Sequence, residues 1–102
     1  MDKVLQLLSL AQRAGKVGSG EFKTEESVKE GKASLVVVAL DASDNTKKKF
    51  TNMCSFYEVP IIFYGNKEEL GHYIGKEFRA SLSVNDLGLA NKIISESENT
   101  VK

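Results

Sequence analysis

Apolar residues are concentrated in one short stretch near the middle of the chain, residues 34–41, which reads Ser-Leu-Val-Val-Val-Ala-Leu-Asp. It contains six consecutive apolar residues, three of them β-branched valines. A continuous apolar run of this length is typical of a strand that is covered on both faces. A helix is the competing interpretation, but the valines and the flanking Gly31 and Asp41 favour a strand. The neighbouring segments are therefore expected to supply two covering layers.

Amphipathic helical patterns occur on both sides of this stretch. In the first of them, Asp2 is a candidate N-cap and Gly15 a candidate stop, with apolar residues three and four apart between them. The next pattern, over residues 21–30, is mostly polar and has only Phe22 and Val28 to bury. Three further helices are predicted after the central run, with N-caps at Ser43 or Asp44, at Asn66, and at Asn85 or Asp86.

Three more segments have the patterns of strands. Val17 lies in a glycine-rich segment that has room only for a very short strand, and residues 61–64 form a second buried apolar run. Residues 80–84 alternate apolar residues with serine, which is typical of a strand covered on one face. Helices that alternate with about four short strands predict an α/β fold, a three-layer α/β/α sandwich with a small mixed sheet and about five helices. Because there is no linker or internal repeat, we expect one domain over residues 1–102.

Composition and charge argue against several classes of protein. The chain has 14 basic and 14 acidic residues and a formal net charge of zero, so a role in binding nucleic acid would need a local basic patch. No apolar run approaches the about 18 residues of a membrane span, and the N-terminal residues do not have the pattern of an export signal. The single cysteine, Cys54, cannot form an internal disulfide, and we expect a cytoplasmic protein without membrane association.

Residues with catalytic or metal-binding chemistry are few and scattered. One histidine, His72, and one cysteine, Cys54, cannot furnish a structural zinc site. Asp41, at the end of the central run, could be a catalytic acid, although capping of a turn together with Ser43 explains it as well. We therefore predict no enzymatic activity, no cofactor and no metal, and keep an enzyme that uses Asp41 and His72 as an alternative.

The glycine-rich segment before the second helix does not have the spacing of a nucleotide-binding loop. Gly18-Ser19-Gly20 lacks the third glycine of a dinucleotide fingerprint, and residues 71–77 are one residue short of a P-loop. A glycine turn that leads directly into a helix still presents unpaired backbone donors and a positive dipole end, which suit a phosphate or a nucleotide edge. The alternative is a plain turn followed by a solvated helix with internal ion pairs, because glutamates interleave with the nearby lysines.

A second candidate lies in the loop before the last strand, where Lys76 and Arg79 flank Phe78. An exposed phenylalanine between cations is suited to stacking on a nucleic-acid base. Burial of Phe78 inside the loop is the alternative. The lysine run over residues 47–49 is typical of the solvated face of a helix and could add phosphate contacts.

Four motifs together resemble those of a known family. They are Gly-Ser-Gly-Glu from residue 18, Glu-Gly-Lys-Ala-Ser-Leu-Val-Val-Val-Ala-Leu-Asp-Ala-Ser from residue 30, Cys-Ser-Phe-Tyr-Glu-Val-Pro from residue 54, and Glu-Leu-Gly-His-Tyr-Ile-Gly-Lys from residue 69. Over residues 4–94 their order and spacing are similar to those of the small ribosomal proteins that bind kink-turn RNA, and most similar to the bacterial YlxQ-type members. The resemblance implies an α/β/α sandwich without catalysis. Its expected partners are ribosomal RNA or another structured RNA, and the ribosome, with the protein itself a monomer.

In that family two loops bind the RNA. One is the glycine turn with the start of the following helix, and the other precedes the last strand. The resemblance places these loops at residues 18–23 and 75–79. The RNA-binding residues predicted from it are Lys16, Gly18, Ser19, Gly20, Glu21, Phe22, Lys23, Glu26, Lys76, Glu77, Phe78 and Arg79.

The sequence departs from the family at the positions that contact bases. Kink-turn binders typically carry Asn, Glu and Lys at the positions held here by Phe22, Lys23 and Glu26. Because hydrogen bonds to base edges carry specificity, we expect strict kink-turn recognition to be weakened or lost while the fold and general RNA affinity are retained. A protein-interaction module of the same fold, with little or no RNA specificity, is the other interpretation.

Overall fold

The computed structural model describes residues 2–99, which form five helices and one four-stranded sheet. The helices are α1 (Lys3–Arg13), α2 (Glu21–Lys29), α3 (Asp44–Tyr57), α4 (Lys67–Tyr73) and α5 (Leu87–Asn99). The strands are β1 (Val17–Ser19), β2 (Leu35–Val38), β3 (Ile61–Phe63) and β4 (Ser81–Val84). On one side of the sheet α2 packs with α3, and on the other α1 packs with α4 and α5. The predicted α/β/α sandwich is confirmed.

The central apolar run forms an inner strand of the sheet. The strand order is β1-β4-β2-β3, with β2 parallel to β3 and antiparallel to β4, and with β1 antiparallel to β4. All four residues of β2 are completely buried, as a strand with helices on both faces must be. This mixed sheet has β1 and β3 as its edges.

Two predictions about strand burial are wrong. The serines of β4 were expected to face solvent, but Ser81 and Ser83 are buried because β4 is an inner strand and α2 packs on it. The run at residues 61–64 was expected to be buried, but β3 is an edge strand and Phe63 is exposed. The alternating pattern of β4 therefore belongs to an inner strand, and the apolar run of β3 belongs to an edge strand.

The helices begin at the caps that the sequence offers. Asp2 accepts a hydrogen bond from the Leu5 backbone nitrogen at 3.0 Å, and Asn66 with Glu69 forms a reciprocal capping box. Where two caps were possible, Ser43 caps α3 through the Thr46 nitrogen at 3.1 Å, and Asp86 caps α5 through the Leu89 nitrogen at 2.9 Å.

The structure offers few side chains for catalysis or metal binding. Cys54 is buried, and this burial raises the pKa of its thiol to about 11, so the thiol stays protonated at neutral pH. Within residues 2–99 there is no group of three or more His, Cys, Asp or Glu side chains placed to hold a metal ion. None of the helices described is long and apolar enough to cross a membrane.

Candidate nucleic-acid interface

The glycine turn joins β1 to α2 through a single residue, Gly20. Its φ of +89° is disfavoured for residues with a side chain, so glycine is needed at this N-cap. The Gly20 nitrogen donates to the Ser81 carbonyl at 2.9 Å, and the Thr24 hydroxyl donates to the Gly20 carbonyl at 2.6 Å. The turn is thus fixed to β4 on one side and to α2 on the other.

Gly18 explains why β1 can lie so close to its neighbours. A Cβ at this position would lie 2.8 Å from the Ser83 hydroxyl oxygen, closer than real Cβ atoms approach, and 3.0 Å from the Ser27 hydroxyl oxygen, which is also tight. Gly18 is therefore a packing residue, buried between β4 and α2, and it also lines a cavity next to the second loop. Its role in RNA binding stays a prediction.

The second loop, residues 75–79, lies beside the glycine turn. A Cβ built on Gly20 would lie 3.9 Å from Cδ and Nε of Arg79. The loop folds back on α4. There the backbone nitrogen of Lys76 donates to the Gly71 carbonyl at 2.8 Å, and the backbone nitrogen of Arg79 donates to the Lys67 carbonyl at 3.0 Å. A cavity of about 320 Å³ is lined by Ser19 of the turn and Lys76 of the loop, among others. The structure therefore brings together the two loops that were predicted to act together.

Two phenylalanines are exposed on these loops. Phe22 is 72% exposed and Phe78 is 63% exposed. The expected burial of Phe22 is wrong, because α2 turns Thr24, Ser27 and Val28 toward the sheet and leaves its second residue outside. Of the two alternatives for Phe78, the exposed one is observed. Apolar rings this open to solvent are available for stacking on bases.

One lysine of α2 and one of α3 are paired closely with glutamates. Lys29 lies 2.7 Å from Glu25, and Lys49 lies 2.7 Å from Glu21 and 2.8 Å from Glu25. Hydrogen bonds from Lys29 and then Lys49 lower the pKa of Glu25 to about 2. Glu25 raises the pKa of Lys29, and Glu21 and then Glu25 raise the pKa of Lys49. This network ties α2 to α3, so the alternative of internal ion pairs is correct for this surface.

The cations nearest the two loops are paired less fully. Lys23 contacts Glu26 only at 3.7 Å, with 64% of the lysine side chain exposed. Among residues 2–99, no carboxylate lies within 4.0 Å of Lys16, Lys76 or Arg79. Arg79 instead donates to the Phe78 carbonyl at 2.7 Å. Positive charge that neighbouring acids leave unpaired is therefore present on both sides of the cavity between the loops.

The two residues considered for catalysis have structural roles or none. Asp41 accepts a hydrogen bond from the Lys67 backbone nitrogen at 2.8 Å, so it caps the start of α4, whereas Ser43 had been expected as its partner. His72 is exposed in the last turn of α4 and packs edge-on against Tyr73 at 5.4 Å between ring centroids.

Sequence analysis missed Asn85 as a part of the cavity between the loops. Its backbone nitrogen donates to the Lys16 carbonyl at 2.7 Å, and its side-chain amide donates to Ser27 at 3.2 Å. Asn85 was considered only as a cap, and no local pattern identifies it, because the pairing of β1 with β4 brings it to the cavity.

Comparison with known proteins connects this geometry to a family. The sequence model of the ribosomal protein L7Ae/L30e/S12e/Gadd45 family matches residues 2–94. The chain belongs to this family. Two family relatives are both named RNA-binding protein YlxQ. The one from Bacillus subtilis is 46% identical over 89 residues, 87% of this chain and 89% of the relative. The one from Enterococcus faecium is 42% identical over 90 residues, 88% of this chain and 86% of the relative.

Solved structures of the same fold agree with this assignment. A protein of unknown function from Bacillus halodurans C superimposes with a TM-score of 0.92 at 36% identity, covering 96% of this chain and 99% of the other. The Giardia lamblia 15.5kD RNA binding protein has a TM-score of 0.79 at 26% identity, covering 95% and 86%. The resemblance to the YlxQ-type members is confirmed, and this family membership also supports the prediction that the protein is not an enzyme.

Proposed function

We propose that this protein binds structured RNA through the glycine turn and the second loop together, with a kink-turn or a similarly bent RNA as its target. The observation that carries the proposal is the close approach of the loops, with Gly20 next to Arg79. Two loops held at a fixed separation can contact two strands of one folded RNA, whereas a single loop could contact only one. The names of the YlxQ and 15.5kD relatives support RNA as the ligand.

Phosphate contacts come from the cations around the loops. Lys16, Lys76 and Arg79 have no carboxylate within 4.0 Å among the described residues, so binding a phosphate breaks no ion pair. Lys23 adds a fourth cation at the cost of a weak contact with Glu26. A net charge of zero over the chain is compatible with this role, since affinity for RNA depends on the local concentration of unpaired charge.

Base contacts come from stacking at this site. Phe22 occupies a position where kink-turn binders typically carry a polar side chain, and it cannot hydrogen-bond to a base edge. With Phe78 it provides exposed rings on both loops, and rings stack on any base. The protein therefore favours RNA with unpaired nucleotides next to a bend and discriminates weakly between base identities.

The biological setting follows from the same proposal. We place the protein in the cytoplasm, as one RNA-binding domain over residues 1–102 that acts as a monomer. Ribosomal RNA, free or in the assembling ribosome, is the expected target, which gives the protein a role in translation. A protein-interaction module of the same fold is the second candidate, and it is distinguished by binding that does not depend on RNA.

The proposal is tested by binding to a labelled kink-turn RNA and to a fully paired duplex of the same length. Phe22→Ala and Phe78→Ala are each expected to weaken binding to the kink-turn by about 1–3 kcal/mol, the value of one base–aromatic stack. Phe56→Ala is the matched control, because Phe56 is also exposed, at 79%, but lies at the end of α3 away from both loops. It should bind as the wild type does.

Salt dependence separates RNA binding from adventitious association. A slope of several units in log affinity against log salt indicates several phosphate contacts. Equal affinity of wild type, Phe22→Ala and Phe78→Ala would remove the two loops as the binding site. Absence of salt-dependent binding to either RNA would favour the protein-interaction module.

A further inference from the structure

A larger groove lies on the other helical layer, between α1 and α5. It encloses about 710 Å³, and none of the residues that line it lines the cavity between the two loops. We call it the α1–α5 groove. Its proposed role is independent of RNA binding.

The floor of the α1–α5 groove is apolar. It is formed by Leu7 and Leu10 of α1 and by Tyr73 at the end of α4. Leu10 is 45% exposed, and Leu7 is only partly buried against the core. Neither leucine belongs to the buried residues of α1, among which are Val4 and Leu8. α1 therefore has apolar side chains left over after the core is filled.

The rim of the groove is positively charged. Lys3, Arg13 and Lys92 line it and are exposed, and none of them has a carboxylate within 4.0 Å among residues 2–99. Glu96 is the one acid among the lining residues. Three cations and one carboxylate give the groove a local charge of +2 at neutral pH. By contrast, Lys29 of α2 and Lys49 of α3 are each paired with a glutamate.

The dimensions of the groove suit a short helix. Lys3 and Arg13 stand at opposite ends of α1, ten residues and therefore roughly 15 Å apart along the helix axis. A ligand helix of about three turns spans this distance, and amphipathic helices lay their apolar face in such grooves. Acidic residues at its ends would meet Lys3 and Arg13, and Lys92 would contact its flank.

We propose that the α1–α5 groove binds an acidic amphipathic helix of a partner protein. The apolar floor favours a peptide over RNA, because the leucines offer nothing to a phosphate backbone and aliphatic side chains stack poorly on bases. The unpaired cations favour an acidic segment over a basic or neutral one on electrostatic grounds.

The test is a titration of the isotope-labelled full chain with an acidic amphipathic peptide of about 12 residues, followed by NMR. The peptide carries leucines three and four residues apart and glutamates at both ends. Its controls are a peptide of the same composition with the leucines scrambled and a version with lysine for glutamate. We expect the ordered acidic peptide to shift the amide signals of Leu7, Leu10 and Lys92 and to leave those of Ser19 and Gly20 unchanged.

Matched variants locate the binding. Leu10→Glu and Arg13→Glu are each expected to weaken peptide binding about tenfold, because the first places a charge on the apolar floor and the second reverses the charge that meets one end of the peptide. Leu87→Glu and Lys48→Glu place the same charge at exposed positions outside the groove and should have no effect.

Three outcomes would overturn the proposal. The first is equal binding of the ordered and scrambled peptides, and the second is the absence of shifts in the groove. The third is that kink-turn RNA, rather than the peptide, shifts the groove signals and loses affinity in Arg13→Glu, in which case the groove is an RNA surface. Loss of RNA binding in the loop variants would leave this result unchanged, so the two proposals fail separately.

Discussion

Two basic regions of this protein differ in how their charge is balanced. Lys29 and Lys49, on α2 and α3, each lie within 3 Å of a glutamate oxygen, with 2.7 Å as the shortest distance. Lys16 and Lys76, next to the glycine turn and in the second loop, have no carboxylate within 4.0 Å among the described residues. The first region holds two helices together, and the second is available for a ligand.

The difference shows that a count of lysines and glutamates along a sequence cannot locate a binding surface. Both regions have similar compositions, and the chain as a whole is neutral. The ion pairs form because α3 lies across α2 and brings Lys49 to Glu21 and Glu25, a contact that depends on the fold. The following predictions alter one region at a time.

The largest effect is expected from Gly71→Ala, which displaces the second loop. A Cβ at Gly71 would overlap the carbonyl oxygen of Glu77, so the second loop must move. We expect a loss of about 3 kcal/mol in the free energy of unfolding, as in other overpacked sites, measured by urea denaturation. Gly88→Ala, whose new Cβ meets Asp86 at 3.5 Å, is the control. It should leave stability unchanged or raise it by up to about 1 kcal/mol. Similar curves for the two variants would show that the close approach is unimportant.

An intermediate effect is expected from reversing one charge in each region. Lys76→Glu should weaken the kink-turn RNA and reduce the slope of log affinity against log salt by about 1 unit, because one phosphate contact is lost. Lys29→Glu, in the paired region, should change RNA affinity by less than about twofold, since that lysine is already neutralised by Glu25. If the two variants lose the same affinity, pairing is not what distinguishes the regions.

The smallest effect is expected from the pH dependence of the paired region. The pKa of Glu25 falls from 4.5 to about 2 in the folded state, so the folded state binds fewer protons than the unfolded state between these values. The contribution of the ion pairs is therefore complete above pH 4.5 and is lost as the pH falls toward 2. The stability difference between wild type and Lys49→Met should shrink over this range. A difference that is constant with pH would contradict the assignment.

Sequence patterns were sufficient for the elements and for the two loops. Caps such as Asp2 and Asn66 are local signals, and the structure uses both. The apolar run at residues 34–41 predicted an inner strand, because a strand that is buried on both faces has apolar residues at consecutive positions. The loops were identified through motifs at family spacing, which carry more information than any single glycine.

Patterns failed where burial depends on what lies beside a strand or helix. Ser81 and Ser83 have the pattern of a half-exposed strand, yet α2 covers them. Phe22 was expected inside, but its place at the start of α2 leaves it in solvent. The α1–α5 groove had no signal at all, since two helices distant in sequence form it.

The backbone bond between Gly20 and Ser81 has a mechanical consequence. β1 runs into the glycine turn, and β4 follows the second loop. Because these two strands are paired, they hold the two loops at a fixed distance from each other. Under the proposed function, we therefore expect RNA ligands to be distinguished by their width. A regular helix and a helix narrowed by a bend are then expected to bind with different affinities whatever their sequences.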